Sequence, residues 1–498
     1  MSLKLMLENT VRRYGKKTAI VLSDQRLSYA DLDKDSNKVA NALIKVGVNK
    51  GERVAMLLNN GPEFAIIYFG IVKIGAIAVL LDTNFRPDEL ASFLADSQCR
   101  VLVAENPALE PLVPVLDRFE SIKHVIVLGA KGERQFQSYQ EIMATGSGRR
   151  VSMELEPGDI AHITYSSGPS SQPRGIMMSH RCLVAETAIV AEAFQQTAQD
   201  IMMLYSLPLH HMFGLLAGLF VSVYKGSTTV IVSGTGLSLE HFLSTVEREK
   251  GTVFLGVPYI FALAVGMAEK EGIKHNLSSL RLCVSAGAPL PVDVVQRFKQ
   301  FYGFDIFDFY GLSEAICLVT GQPVDGSGKL GSVGKVLPGW EVKIVDDNGQ
   351  ELPMNQSGEI IISGLMMTGY YHNPQATAGV IKNGWLYSGD IGRFDEAGYL
   401  FITGRKAKTI IVKGQNIYPE DIEMVLSRHP KVAGVRVTGT PDKLRGEVVR
   451  AVVTLKEGEV ATEQEIKQFC LERLASYKVP RQVIFSNSLP KLVVGKVR

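Results

Sequence analysis

Cysteine is sparse: Cys99, Cys182, Cys283, Cys317 and Cys470 are the five in 498 residues, widely scattered and never in a CxxC pair. An odd number at such spacing offers neither a metal site nor a disulfide framework and fits a reducing cytosol. These thiols are expected to pack as small hydrophobes. An excess of one charge is also lacking. The 53 Lys and Arg against 51 Asp and Glu leave a formal +2, too near balance to attract nucleic acid or anionic lipid through net charge. No apolar run is both long and clean. Phe64 to Leu81 is interrupted by Gly70, Lys73 and Gly75, and Met212 to Tyr224 falls short of the roughly 20 residues a bilayer-spanning helix needs. Both read as buried helices. Met1-Ser2-Leu3-Lys4 opens no apolar h-region with a small-residue cleavage site, so no signal peptide is expected. No period of 20 to 50 residues repeats, which argues against solenoids and propellers. The expectation is a cytoplasmic protein with no integral membrane segment and no nucleic-acid partner; monomer and homodimer are both open.

What is present is apolar material, 46% of the chain, enough for two to four units at about 150 residues each. The first 150 residues alternate helical and strand signals, the pattern of an α/β layer. A helix is expected over Leu32 to Val46, a strand over Arg53 to Leu58, a helix over Phe64 to Ile77, and strands over Arg100 to Ala104 and His124 to Leu128. From Ile160 onward strand-like segments end in Gly/Ser/Pro-rich loops, where α/β proteins place their chemistry. Between Lys329 and Ile362, short strands broken by Pro338-Gly339 and Asp346-Asp347-Asn348-Gly349 suggest a small antiparallel barrel or sheet. After Gly404-Arg405-Lys406-Ala407-Lys408 the pattern is that of a compact α+β unit: a helix from Pro419 to Arg428, strands near Val432 to Gly439 and Val448 to Leu455, and a helix from Glu463 to Leu474. The fold class expected is α/β, with a large N-terminal domain (1–403) of stacked α/β sheets plus a small β-barrel, and a small C-terminal domain (404–498).

The loop Tyr165-Ser166-Ser167-Gly168-Pro169-Ser170-Ser171-Gln172-Pro173-Arg174-Gly175 follows the apolar Ile160-Ala161-His162-Ile163. Backbone N–H groups and hydroxyls there can turn toward a polyphosphate, with Arg174 supplying positive charge. Alone it reads better as an ordinary Ser/Pro surface loop, being neither GxxxxGK[ST] nor GxGxxG. Downstream stand, in order, Leu207-Pro208-Leu209-His210-His211-Met212-Phe213-Gly214, Ala286-Gly287-Ala288-Pro289-Leu290, Asp308-Phe309-Tyr310-Gly311-Leu312-Ser313-Glu314, Trp385-Leu386-Tyr387-Ser388-Gly389-Asp390, Gly404-Arg405, Lys413-Gly414-Gln415-Asn416-Ile417-Tyr418-Pro419, and Pro490-Lys491-Leu492-Val493-Val494-Gly495-Lys496.

This ordered set, spanning almost the whole chain, resembles the adenylate-forming superfamily of acyl- and aryl-CoA synthetases, amino-acid adenylation domains and firefly luciferase. It is nearest in pattern to the acyl-CoA synthetases. The resemblance implies ATP, Mg²⁺ and coenzyme A, and a small-molecule carboxylic acid as the partner. Ser166, Ser167, Gly168, Ser170 and Arg174 match the family's phosphate loop, although Pro169 and Ser170 replace two threonines, Ser171 a glycine and Arg174 a lysine. Pro169 removes a backbone donor and Ser171 narrows φ. His211 matches the histidine that orients the carboxylate, while His210 reads as a satisfied loop histidine. Gly287, Ala288 and Pro289, with Asp308, Phe309, Tyr310, Gly311 and Ser313, match adenine and phosphate contacts. Glu314 matches the Mg²⁺ ligand, a hard-cation role suited to a carboxylate. Asp390 matches the acceptor of the ribose hydroxyls, and Arg405 a cation beside the same ribose or phosphate. Lys408 matches the hinge of a mobile C-terminal domain, although the family usually has an acid there. Lys413, Gly414 and Tyr418 match the coenzyme A face. Lys496 matches the lysine that enters the site in the first half-reaction. The acyl pocket is expected near Val257, Phe261, Gly287, Gly311 and Ile316. Neither Phe213-Gly214 nor Val257-Pro258-Tyr259 is followed by the aspartate that pairs a substrate amine, so an amino acid is not the expected substrate.

A carboxylate is a poor electrophile, and making acyl-AMP from it brings two anions together. Cations such as Arg174 and Lys496, with Mg²⁺ at Glu314, answer that requirement. Three readings follow: an acid–thiol ligase forming an acyl-CoA, an adenylation enzyme loading a separate carrier protein, and a catalytically weakened binding or regulatory relative, as the altered phosphate loop suggests.

Overall fold

The structure, a computed structural model, describes residues 1–129, 136–166, 173–232, 238–406 and 409–486. Two large sheets dominate. The nine-stranded sheet runs, edge to edge, Lys335–Val336, Thr320–Gly321, Ile306–Tyr310, Leu282–Ser285, Val253–Gly256, Ile201–Tyr205, Thr228–Val232, Thr18–Leu22, Gln25–Ser28. Its six central strands are parallel. The eight-stranded sheet runs Gly369–Tyr370, Arg174–Ser179, Ile160–Ser166, Ile77–Leu81, Arg53–Leu57, Val101–Glu105, His124–Leu128, Gln137–Ser138.

Parallel strands covered on both faces should read as near-continuous apolar runs, and Thr228–Val232 is buried throughout. The helices Tyr29–Lys45, Pro62–Lys73 and His180–Ala193 share one large core with the inward faces of both sheets. A second core covers the outer face of the nine-stranded sheet, under Leu239–Glu249, Pro258–Glu271 and Val292–Tyr302, and a third covers the outer face of the other sheet under Pro87–Ser97. The result is the expected α/β layering.

The apolar run from Phe64 divides where the sequence gives little warning. Its helix is Pro62–Lys73, not Phe64 to Ile77, because Ile77–Leu81 pairs in register with Arg53–Leu57. Sheet pairing overrides helical propensity there. Lys73, the charge within that run, is buried with Nζ 2.7 Å from Asp33 Oδ1 and 3.0 Å from Asn37 Oδ1. The second apolar run is π-helical over Phe213–Phe220 and α-helical over Val221–Lys225. No helix among the described residues is long and apolar enough to cross a membrane.

Of the barrel and sheet alternatives, the chain takes the sheet. Glu341–Val345, Gly358–Ser363, Trp385–Phe394 and Ile381–Lys382 pair in that order, Leu400–Arg405 adds to Trp385–Phe394, and no pairing joins the outer strands among the described residues. The C-terminal unit has a five-stranded sheet, Gln415–Ile417, Ile410–Val412, Gly446–Leu455, Val432–Asp442 and Gln482–Phe485, with helices Pro419–Ser427 and Glu463–Leu471 sharing its core. All five cysteines are buried and unpaired; burial pushes the Cys99, Cys283 and Cys470 thiols up to about 12.

Candidate active site

The carboxyl ends of three adjacent parallel strands bring together Val257, Ala286-Gly287 and Asp308-Phe309-Tyr310-Gly311, the usual position for ligands in an open α/β sheet. Strand alternation then sorts the motif. Asp308 and Tyr310 share one face. Phe309 takes the other, where its ring is buried edge-to-face on Phe194 at 5.3 Å. The expected nucleotide contact at Phe309 is corrected in one respect: its ring is spent in the core and does not face the site. Asp308 lies beside Ser285 in register. Both Asp308 Oδ1 and Ser285 Oγ are buried without a hydrogen-bond partner, and burial drives the Asp308 carboxyl well above its ordinary range. Gly287 is exposed, with nothing nearer its missing Cβ than Val257 Cγ1 at 3.9 Å. Ala288 and Pro289 lie beside it at the surface.

Register also assembles the second cluster. Asp390 on Trp385–Phe394 pairs directly with Arg405 on Leu400–Arg405, so carboxylate and guanidinium meet as an ion pair. Tyr310 donates its hydroxyl to Asp390 Oδ2 at 2.7 Å. Asp390 is 2% exposed. Burial acts to lower the Arg405 guanidinium, but Asp390 outweighs it and the net shift is upward. Burial, and then Asp390, raise the Tyr310 phenol far above its usual range.

Glu314 begins on the short turn Ser313–Ala315 and accepts the Tyr370 hydroxyl at 2.9 Å. Arg174 lies 5.8 Å from the centroid of that Tyr370 ring. Tyr418 comes from the C-terminal unit; burial, then the Glu314 charge, pushes its phenol up to about 12, against Arg405 and Arg174, which lower it. Arg174, Glu314, Tyr370, Arg405 and Tyr418 thus sense one another electrostatically. Among the described residues no group of three His, Cys, Asp or Glu could hold a metal alone. Glu314 and neighbouring hydroxyl oxygens suit a hard cation shared with phosphate oxygens.

His211 is exposed, yet burial of its imidazole among protein atoms and the adjacent His210 lower it to about 4. His210 is the partnered one, with Nε2 3.6 Å from Asp82 Oδ2. Of the expected acyl-pocket residues, Val257 faces Gly287. Phe261, however, is spent in a ladder of packed rings with Phe254 at 4.9 Å and Phe298 at 5.3 Å, and is wholly buried. Its placement at a pocket surface is corrected accordingly. Ile316 is also buried, with φ 63° and ψ −62°, a strained γ-turn for a β-branched residue.

The hairpin Ile410–Val412 to Gln415–Ile417 turns through Lys413 and Gly414, both with positive φ, 53° and 83°, as a two-residue type I′ loop requires. A Cβ on Gly414 would lie 2.9 Å from Val257 Cγ1, and Lys413 Nζ sits 4.7 Å from the Tyr259 ring centroid. The C-terminal unit is further fixed by Lys478, whose Nζ lies 2.5 Å from Glu89 Oε1 and 3.0 Å from Asp421 Oδ2. Arg86 Nε donates to the Leu474 carbonyl at 3.0 Å. The sequence reading did not single out Tyr370, Glu89 or Lys478, because none belongs to a local motif. Ser167, Gly168 and Ser170 of the phosphate loop, the hinge Lys408 and the terminal Lys496 lie outside the described residues, as does the Ser166 side chain.

Residues 7–371 match the model of the AMP-binding enzyme family and residues 421–496 that of the AMP-binding enzyme C-terminal domain. A long-chain-fatty-acid–CoA ligase of Bacillus subtilis is 31% identical over 100% of this chain and 93% of its own length. Among solved structures, an amide bond synthetase from Marinactinospora thermotolerans has a TM-score of 0.89 at 27% identity, covering 98% of this chain and 96% of that one. An anthranilate CoA ligase in complex with anthranoyl-AMP has a TM-score of 0.79 at 29% identity, covering 99% of this chain and 94% of that one. With most of its length matched by the family model and its full length by such a relative, the chain belongs to the AMP-binding, adenylate-forming enzyme family.

Proposed function

We propose that this chain is an ATP-dependent acid–thiol ligase that converts a monocarboxylic, fatty or aromatic, acid to acyl-AMP and passes the acyl group to coenzyme A. The observation that carries the reading is the gathering of Asp390, Arg405, Tyr310, Glu314, Arg174 and Tyr418 from five separate segments, with the Lys413-Gly414 turn packed on Val257. In the first step a carboxylate oxygen bonds to the α-phosphorus of ATP while the bond to pyrophosphate breaks. Asp390 suits the ribose hydroxyls, since a carboxylate has lone pairs beyond those Tyr310 and Arg405 use. The unpartnered Asp308 Oδ1 suits an amino group at the adenine edge. Arg174 and Arg405 offset phosphate charge, with Lys496 and the Ser166 to Ser170 loop assigned by resemblance. Glu314 would hold a Mg²⁺ ion, which would supply further charge neutralisation. In the second step a thiol attacks the acyl carbon and AMP leaves. The Lys413, Gly414 and Tyr418 face of the C-terminal unit borders that reaction, with Lys408 as its hinge, and the lowered His211 imidazole, neutral at pH 7, can donate or accept near the acid without adding charge.

The test is acid-dependent pyrophosphate release across short-chain, long-chain and aromatic acids, followed by thioester formation with coenzyme A. Release with one acid class and a thioester product is the expected result. No release with any acid overturns the proposal, and release without thioester redirects it to another acceptor.

A further inference from the structure

Glu186 lies outside every motif, on the helix His180–Ala193, and is 0% exposed. Its Oε1 accepts the Leu318 N–H at 3.0 Å and its Oε2 the Trp340 Nε1–H at 3.0 Å. A buried carboxylate is costly unless its lone pairs are met, and two convergent N–H donors meet them here. The Leu318 contact falls on the return limb of the loop that carries Glu314. That loop is closed at its neck: Val319 N–H donates to the Tyr310 carbonyl at 2.8 Å, and a Cβ on Gly311 would lie 1.7 Å from the Cys317 carbonyl oxygen. Inside the ring, Cys317 N–H reaches the Ala315 carbonyl at 2.7 Å around the strained Ile316. Strain of this kind persists only where the surroundings over-determine it.

We propose that Glu186 is a positioning residue for the nucleotide site, fixing the Tyr310 to Val319 ring so that the Tyr310 hydroxyl meets Asp390 and the Glu314 carboxylate meets Tyr370. It rests on the ligase reading for its kinetic arm only. The same carboxylate joins three parts of the site. Its helix follows directly on Arg174–Ser179, whose first residue is Arg174; its Leu318 partner anchors the Glu314 loop; and its Trp340 partner opens the sheet that carries Asp390. Burial pushes the Glu186 carboxyl up to about 8, and the Leu318 and Trp340 donors act to lower it.

Glu186→Gln keeps the shape but turns an N–H₂ toward one of the two donors. ATP affinity, read by calorimetry without any acid, and kcat for pyrophosphate release should both fall, on the order of 10- to 100-fold, while KM for the acid stays within about twofold. Trp340→Phe removes one donor and should give a smaller loss. The double variant, in which the Gln N–H₂ no longer opposes the indole, should recover part of the Glu186→Gln defect. Recovery is a readout that mere loss of packing would not produce. Parent-like ATP affinity in both single variants, or a double variant as weak as the sum of the two, overturns the proposal. A parent that binds ATP and releases no pyrophosphate overturns the ligase reading alone, and the affinity comparison then decides for Glu186. Should Glu186→Gln not fold, Trp340→Phe carries the affinity test by itself.

Discussion

At the scale of single residues, burial decides protonation before any ligand arrives. His162 is wholly buried, with Tyr68 Oη 2.8 Å from Nδ1, and desolvation lowers it from 6.5 to about 3. The folded protein therefore holds this imidazole neutral where the unfolded chain has protonated it. Stability from this group is full above pH 6.5 and is lost as pH falls toward 3. At about 1.4 kcal/mol per unit, the loss is several kcal/mol across that window. His180, lowered to about 4, adds a loss of the same sign. Chemical denaturation between pH 7 and 4 should show a falling unfolding free energy, and His162→Gln, which cannot take the proton, should flatten the slope. An unchanged slope in that variant would remove His162 as its source. At this scale the motif residues were legible in sequence, since Asp390, Arg405, Tyr310 and Glu314 do converge. The opposite orientation of Phe309 was missed, although period-2 alternation along Ile306–Tyr310 signals it. The burial of Phe261 was not legible, because it depends on rings from other helices and strands.

At the scale of elements, the informative piece is the hairpin turn at Lys413-Gly414. Left-handed backbone costs an ordinary residue roughly 1–2 kcal/mol, and Gly414 has the added constraint of Val257 at 2.9 Å from any Cβ. Gly414→Val should lift the turn from Val257 and Tyr259 while leaving the strands Ile410–Val412 and Gln415–Ile417 paired. Thioester formation from supplied acyl-AMP should drop about tenfold or more, and acyl-AMP formation much less. Equal loss in both half-reactions, measured separately, would show that the turn does not serve the thiol side. Local chemistry announces a two-residue turn here. What the turn rests against is supplied by a segment more than 150 residues earlier, beyond the reach of any local pattern.

At the scale of the whole molecule, the C-terminal unit is joined to the rest by an ion triad with almost no access to water: Lys478 is 2% exposed, Glu89 3% and Asp421 0%. Burial lowers the Lys478 ammonium, but Asp421 and Glu89 together raise it above its ordinary value. Removing one member of such a group leaves uncompensated buried charge at about 3–5 kcal/mol. Lys478→Met should lower the melting temperature by several degrees in scanning calorimetry at fixed rate, and Glu89→Gln, which leaves Lys478 with Asp421, should lower it less. A Lys478→Met protein that melts with the parent would mean that the triad adds nothing to docking.

The sequence by itself determined the α/β class, the C-terminal α+β unit and the ordered motifs, because helix and strand periodicity and turn chemistry are written among near neighbours. Only the tertiary structure decided that the Phe64 helix stops at Lys73, that Glu186 underlies the Glu314 loop, that Tyr370 holds Glu314, and that Lys478 meets Glu89. Each of these depends on sheet register or on the stacking of layers, which bring together residues 56 to 389 positions apart in the last two pairs. No local pattern encodes such a distance, and the folded chain closes it only through packing.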